Sequence, residues 1–233
     1  MASKSRRSFL SNLGAAASAA GATLAAGATL AAGATVAHAQ TAADGRWQPA
    51  RHDRDDWYDQ LPGKHRLFFD TTKPEALEDA IQFAGNFYTA NRGDYALDQT
   101  DLAVIVCMRH RSAPFAFNDA IWTKYGVTLA KRAEFVDPNT HDAPKVNPFT
   151  PVAPPAPARA RGLAGLIKLG VQFAICNLST HGIASMIAGA TGGTADAIYQ
   201  ELAANLIDRA RLVPAGIVAV NRAQEHGYSI SGS

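Results

Sequence analysis

The stretch DLAVIVCMRH, residues 101–110, constrains the fold of this chain more than any other feature of its sequence. Its apolar residues are continuous and do not alternate with polar ones, which is the pattern of a strand buried on both faces. Such strands are typical of parallel sheets that have helices packed on both sides. The neighbouring sequence therefore has to supply further strands and the helices that cover them.

In the flanking sequence, predicted strands alternate with predicted helices. HRLFFDTT (65–72) predicts a strand, and the next helix is expected to begin at Pro74 and to end at Gly93. The same proline and glycine boundaries predict a helix over residues 114–126. The remaining predicted elements are a short helix after residue 161, a strand at 171–177, helices after 177 and after 196, a brief strand at 211–214, a helix from 215 to 227 and a strand at 228–231. We expect one α/β domain with a single doubly wound, mostly parallel five-stranded sheet and helices on both faces.

Two segments depart from the alternation. Residues 127–161 hold most of the prolines of the mature chain, and because proline fixes φ and removes a hydrogen-bond donor, they predict an inserted loop or extended strap. Residues 40–63 are polar and show no sustained period, so we expect an N-terminal arm before a domain at 64–233. Trp47, Trp57 and Tyr58 of this arm are too large and apolar to be left in water, which favours contact with the domain or with a neighbouring subunit.

The first 39 residues have the three-part pattern of an export signal. An N-terminal region that contains Arg6 and Arg7 precedes a long uncharged stretch of mainly Ala, Gly and Thr. Small residues, Ala37 and Ala39, then occupy the two positions that a signal peptidase reads. The segment lacks the large apolar residues of a membrane anchor.

The residues around the two arginines narrow the export route. SRRSFL at 5–10 resembles the twin-arginine motif, with Ser11 where the motif usually has lysine. The resemblance implies passage through the twin-arginine export machinery and cleavage by signal peptidase. The mature protein is then expected in the periplasm or otherwise exported, with Gln40 as its first residue.

The composition of the mature chain argues against several kinds of partner. Cleavage shortens the chain from 233 to 194 residues and changes 22 basic against 20 acidic residues into 19 against 20. Without a concentrated basic face, nucleic-acid binding has little electrostatic support. No remaining segment has the length and hydropathy of a membrane span, and the histidines lack the spacing of a tetrahedral metal site. No G-x-G-x-x-G follows the first strand, so neither a nicotinamide nor a flavin cofactor is expected.

Cys176 is the candidate reactive residue, because it lies at the carboxyl end of a predicted strand. In open α/β sheets this end, with the loops beyond it, forms the ligand crevice. A helix beginning just after the strand directs N–H groups at the sulfur and favours a thiolate or a bound anion. Asn177 and Thr180 belong to the same predicted binding loop, and His181 is a candidate proton donor.

Structural roles are the alternative for each of these residues. Free cysteines are often small apolar fillers, and this applies to Cys176 and more strongly to Cys107, which lies inside VIVCM. Arg109 and His110 follow that strand and form either a cationic loop for an anionic ligand or a solvated turn. The sequence leaves open whether the two cysteines form a disulfide.

Two segments are similar to the C-terminal half of the DsrE/DsrF-like family: GVQFAICNLSTHGI (170–183) and RLVPAGIVAVNRAQEHGYS (211–229). The resemblance extends over residues 64–231. It implies a small doubly wound α/β domain that assembles into homo-oligomers. In the sulfur-trafficking members, a cysteine at the position matched by Cys176 carries sulfur as a persulfide. The export signal, the proline-rich insertion and residues 188–208 are additions to the family pattern.

Two hypotheses from different classes follow. In the first, the protein carries a small sulfur species on Cys176 without an organic cofactor. In the second, it is a non-catalytic, oligomeric binding or scaffold protein of the same fold, in which Cys176 is inert and the crevice holds a small anion or nothing. The reactivity of the Cys176 thiol discriminates between them.

We predict that replacing Arg6 and Arg7 together by lysine blocks export of the folded chain, because the twin-arginine motif requires both guanidinium groups. The measurement is the amount of protein in the exported fraction, together with N-terminal sequencing of the wild-type protein. The expected first residue is Gln40. A mature protein that retains the leader would contradict the cleavage prediction.

Overall fold

The computed structural model describes residues 47–150 and 162–232. The predicted export signal, including Arg6, Arg7, Ala37 and Ala39, lies outside the described residues, as do residues 151–161 of the proline-rich segment. Within the described ranges no helix combines the length and hydropathy that a membrane span needs.

Five strands form one sheet in which every neighbouring pair is parallel. The order across the sheet is β4-β3-β2-β1-β5. The prediction of a single doubly wound α/β fold with a parallel five-stranded sheet is thus confirmed. The strand bounds are β1 His65–Thr71, β2 Leu102–Met108, β3 Gln172–Cys176, β4 Ala210–Val213 and β5 Ser229–Gly232.

The central strand is β2, and all seven of its residues are buried, as the continuous apolar run predicts. Seven α-helices in the described residues cover the two faces of the sheet. Their bounds are α1 Trp57–Gln60, α2 Pro74–Tyr95, α3 Asp119–Ala133, α4 Gly162–Lys168, α5 Asn177–Thr191, α6 Ala195–Ala204 and α7 Gly216–Glu225.

The helices divide into two layers according to the apolar cluster that they join. Buried side chains from α2, α3, α4, α5 and α6 pack on one face of the sheet, together with Val104 and Val106 of β2. Buried side chains from α1 and α7 pack on the other face, with Ile105 and Cys107. Because alternate residues of β2 join different clusters, the sheet is enclosed on both faces.

Both bounds of the helix predicted over residues 114–126 are wrong, because α3 begins at Asp119 and continues to Ala133. A Cβ at Gly126 would lie 2.3 Å from the carbonyl oxygen of Pro144, so this glycine allows the following loop to approach the helix. The loop predicted from residue 127 begins at Glu134, where φ is 53°. The helix predicted to end at Gly93 also runs two residues further, to Tyr95.

The segment predicted as a polar arm contains helix α1, whose two aromatic side chains are buried. The Tyr58 hydroxyl donates to the carbonyl of Ala219 in α7 at 3.2 Å, and the Tyr228 hydroxyl donates to the carbonyl of Tyr58 at 2.9 Å. Trp57 stacks on Tyr58 with 4.0 Å between ring centroids. The expectation that the aromatic groups of the arm are shielded is confirmed for Trp57 and Tyr58 and is wrong for Trp47, which is 75% exposed. Helices α1 and α7 together form the layer on this face of the sheet.

We predict that Tyr58→Ala lowers the free energy of unfolding by about 3–5 kcal/mol, the usual cost of truncating a large buried side chain. Tyr58→Phe removes only the hydroxyl and should cost about 1 kcal/mol. Chemical denaturation followed by circular dichroism measures both effects. Val127→Ala is the control, since Val127 is 75% exposed and should change stability by less than about 0.5 kcal/mol. A Tyr58→Ala variant as stable as the control would show that α1 adds little to the fold.

Candidate functional site at the carboxyl ends of the strands

A crevice is expected where the connections from two neighbouring strands leave on opposite faces of the sheet. Strands β3 and β4 are neighbours and meet this condition. The chain passes from β3 into α5 on one face and from β4 into α7 on the other. The amino ends of α5 and α7 therefore flank the carboxyl ends of these two strands.

Cys176 is the last residue of β3 and the N-cap of α5. Its sulfur accepts a hydrogen bond from the backbone N–H of Ser179, with 3.4 Å between Sγ and N. The residue is 6% exposed, and both cysteines are free thiols. The predicted position of Cys176 at a strand end, beneath a helix N-terminus, is confirmed.

Arg109 directly follows β2, the neighbouring strand, and its backbone lies beside that of Cys176. Met108 of β2 pairs with Ile175 of β3, so the next residues along the two chains, Arg109 and Cys176, are also neighbours. Alternation along the strands directs both side chains to the face that carries α7. The guanidinium of Arg109, however, extends towards β1, where it binds Asp70.

Asp70 fixes the guanidinium of Arg109. Its two carboxylate oxygens accept from Nε at 2.7 Å and from Nη2 at 2.8 Å. This bidentate pair is largely shielded from solvent, and the hydrogen bond to Asp70 raises the pKa of Arg109 above its ordinary value. A bidentate carboxylate restricts the orientation of a guanidinium as well as its position.

Gly216, the first residue of α7, lies against the Arg109 side chain. A Cβ at Gly216 would be 2.7 Å from Cβ of Arg109 and 2.5 Å from its Cδ. Contacts this short exclude any larger residue unless the arginine or the helix moves. The glycine is thus needed because Arg109 crosses the amino end of α7.

Two buried hydroxyl groups secure the turn that presents Arg109. Those of Thr71 and Ser112 lie 3.0 Å apart, and the Arg109 N–H donates to Ser112 Oγ at 3.0 Å. His110 is exposed, with φ of 57°, and its N–H donates to Ser179 Oγ at 3.0 Å. The turn after β2 is therefore anchored both to β1 and to the first turn of α5.

Cys107 lies deeper than Cys176 and is fully buried. Its sulfur is 3.9 Å from the carbonyl oxygen of Gly216. Burial raises the pKa of the Cys107 thiol well above its ordinary value, with further increases from Asp70 and Cys176 and an opposing effect from Arg109. Cys107 is therefore a neutral packing residue beneath the crevice.

The other predicted binding residues take part in contacts within or around α5. Asn177 Oδ1 accepts from the Tyr199 hydroxyl at 2.9 Å, and the exposed His181 ring stacks on Tyr199 at 3.9 Å. These two side chains face α6, in the layer opposite α7. The buried Thr180 hydroxyl donates to the carbonyl of Cys176 at 3.1 Å. Arg109 is a backbone neighbour of Cys176, and its side chain pairs with Asp70.

Asp70 and Gly216 were not among the residues predicted from the sequence. Asp70 is visible there only as a carboxylate at the end of the first strand, and Gly216 as a glycine near a helix start. Their roles depend on the path of the Arg109 side chain, which no sequence pattern specifies. No group of three His, Cys, Asp or Glu residues arranged to hold a metal ion occurs in residues 47–150 and 162–232.

In comparisons with known proteins, the chain matches no protein-family model and no curated protein. The chemistry of the crevice therefore has to be inferred from its own residues. They provide a thiol at a helix N-terminus and a carboxylate-bound guanidinium, which together suit a small anion or a thiol-bound group.

We predict that Gly216→Ala destabilises the protein by about 1–3 kcal/mol, because the new methyl group overlaps the Arg109 side chain. Gly182→Ala is the matched control in a helix, since a Cβ at Gly182 meets no atom within 4 Å. The control should be more stable than the wild type by about 0.5–1 kcal/mol. Thermal and denaturant unfolding of both variants measure the difference, and equal stabilities would contradict the close approach of Arg109.

Proposed function

We propose that this chain is an exported protein of the DsrE/DsrF-like family that carries a small sulfur species on Cys176. The observation that carries the proposal is the placement of the Cys176 sulfur at the amino end of α5, where it accepts a hydrogen bond from the N–H of Ser179. Backbone N–H groups at a helix N-terminus bind small anions, and reactive cysteines are often found at such helix ends. The similarity of residues 170–183 and 211–229 to that family supports the same function.

The transfer that we propose needs neither a metal nor a redox cofactor. The Cys176 thiolate attacks the terminal sulfur of a donor persulfide, R–S–SH, and a new S–S bond forms on Cys176. The donor S–S bond breaks and its electron pair leaves with the donor thiolate, R–S⁻. The products are Cys176–S–SH and R–S⁻, so charge and oxidation state balance, and the reverse step passes the sulfur to an acceptor thiolate.

The twin-arginine leader belongs to the same proposal, as do the periplasmic or otherwise exported location and the homo-oligomeric state. The competing function is a binding or scaffold protein of this fold with an inert Cys176. The low exposure of Cys176, 6%, is the observation that favours this second function. Thiol reactivity discriminates between the two.

We predict that iodoacetamide labels Cys176 well before Cys107 in the reduced native protein. Cys107 is fully buried and burial raises the pKa of its thiol, so it should react only as the protein unfolds. Peptide mass spectrometry of samples taken over time measures the two rates. Labelling of both cysteines only after denaturation would make Cys176 a packing residue and favour the scaffold function.

The sulfur itself is measured by the intact mass of protein purified from its native compartment, before and after reductant. We expect one additional sulfur atom that reductant removes. Cys176→Ser should keep the fold and lose the added mass, whereas Cys107→Ser should keep both. A native protein without sulfur on Cys176, before or after incubation with a donor persulfide, would exclude the carrier function.

A further inference from the structure

A cleft lies at the end of the sheet opposite Cys176, where the strands begin. It consists of two adjoining cavities, each of about 290 Å³, that share the lining residues Tyr88, Gln99, Leu102 and Leu169. Leu102 is the first residue of β2, so we call the pair of cavities the amino-end cleft. We propose that this cleft binds a small organic carboxylate with an apolar body. The assignment is independent of the chemistry of Cys176.

Tyr88 supplies the cleft with a hydroxyl group that has no hydrogen-bond partner within residues 47–150 and 162–232. Tyr88 is 6% exposed, and it lines both cavities. Buried hydroxyl groups nearly always have a partner. The hydroxyls of four other tyrosines are all hydrogen-bonded within the protein: those of Tyr58, Tyr125, Tyr199 and Tyr228. The hydroxyl of Tyr88 is therefore available to a ligand in the cleft.

The hydroxyl of Tyr88 is a neutral hydrogen-bond donor with a cation close to it. Burial raises the pKa of Tyr88 to about 12, and the charge of Arg209 acts in the opposite direction. The phenol therefore stays protonated at neutral pH and can donate to an acceptor. Both residues line the second cavity, so a ligand there can meet the hydroxyl and the guanidinium together.

Arg209 supplies the positive charge of the second cavity. Its guanidinium has no carboxylate partner in the described part of the chain. Its φ is 61°, in the left-handed region that glycine adopts most easily, while its carbonyl accepts from the N–H of Phe173 at 3.1 Å. Strained backbone of this kind is concentrated at functional sites. The position thus favours a role for the arginine side chain beyond solvation.

The charged residues favour one negative charge on the ligand and place it in the second cavity. Arg209 is the one charged residue among the described residues that line this cavity, whereas Arg92 and Asp98 both line the first. A guanidinium matches the two oxygens of a carboxylate. The hydroxyl of Tyr88 can donate to one of these oxygens. The two groups together form a receptor for a single carboxylate.

The other walls of the second cavity favour an apolar body on the same ligand. Apolar side chains line it from the turn before β1, from β2 and from the loop before β3: Leu61, Pro62, Leu102, Val104 and Leu169. Ligand pockets usually have volumes of about 300–1,000 Å³, and each cavity lies at the lower end of this range. The body of the ligand is therefore a single ring or a short chain.

Binding of benzoate to the full-length protein tests the proposal. Isothermal titration calorimetry at one ionic strength measures the affinity and the number of sites. We expect saturable binding at one site, and binding of benzamide that is about tenfold weaker or less, because it keeps the ring and loses the charge. Acetate keeps the charge, lacks the ring, and should also bind more weakly. No saturable binding of benzoate, or equal binding of benzamide or acetate, would overturn the proposal.

Two variants locate the bound benzoate. Tyr88→Phe removes only the hydroxyl and should weaken binding about fivefold, the order of one hydrogen bond. Arg209→Gly removes the cation and should weaken binding about tenfold or more. Because glycine adopts the φ of residue 209 without strain, this variant should keep the fold, which circular dichroism verifies. Unchanged affinity in either folded variant would contradict the assigned site.

Arg132→Gln is the matched control, because it also removes one positive charge but lies near the other end of the sheet. Arg132 belongs to the last turn of α3, next to Glu134, which pairs with Arg111 beyond the carboxyl end of β2. Its affinity for benzoate should equal that of the wild type. Equal losses in Arg132→Gln and Arg209→Gly would reduce the effect to net charge and contradict the site. Sulfur on Cys176 is measured separately, so failure of the carrier function would leave this result intact.

Discussion

Burial of β2 on both faces is the constraint on which the rest of this structure depends. A parallel strand without polar residues is stable only between two layers of helices, and all seven residues of β2 are enclosed in this way. Helices α2 to α6 cover one face, while α1 and α7 cover the other. Because helices cover both faces of the sheet, the loops at the strand ends remain for ligand chemistry. Cys176 lies at such an end, where the connections that follow β3 and β4 leave on opposite faces of the sheet.

Much of this architecture could be predicted from the sequence, because it follows from local patterns. The continuous apolar run identifies β2, and Pro74 marks the first residue of α2. Glycines were less informative, because the sequence does not distinguish a glycine that ends a helix from one that leaves room for another segment to pack against the helix. Gly126 is of the second kind, since the carbonyl of Pro144 lies against it. That distinction depends on the loop that contains Pro144, and the sequence of this loop has no helical or strand periodicity.

The site could be predicted in part for the same reason. Cys176 at a strand end and a cationic turn after β2 follow from the order of elements along the chain. That Arg109 adjoins Cys176 depends on the register between β2 and β3, which is a property of the assembled sheet. The predicted partners Asn177 and His181 instead contact Tyr199. Helix α6, which supplies that tyrosine, therefore decides which polar groups remain near the sulfur.

The contact between α1 and α7 has a consequence for the order of folding. The hydrogen bond from Tyr58 to Ala219 joins residues 161 positions apart, and that from Tyr228 to Tyr58 spans 170. The cover of this face is therefore incomplete until α7 and Tyr228 have been synthesised. Contacts of such long range form slowly, so we expect the apolar residues of that face to be among the last that are shielded from water. Closure of this face thus depends on α7 and Tyr228 meeting Tyr58 across most of the length of the described sequence.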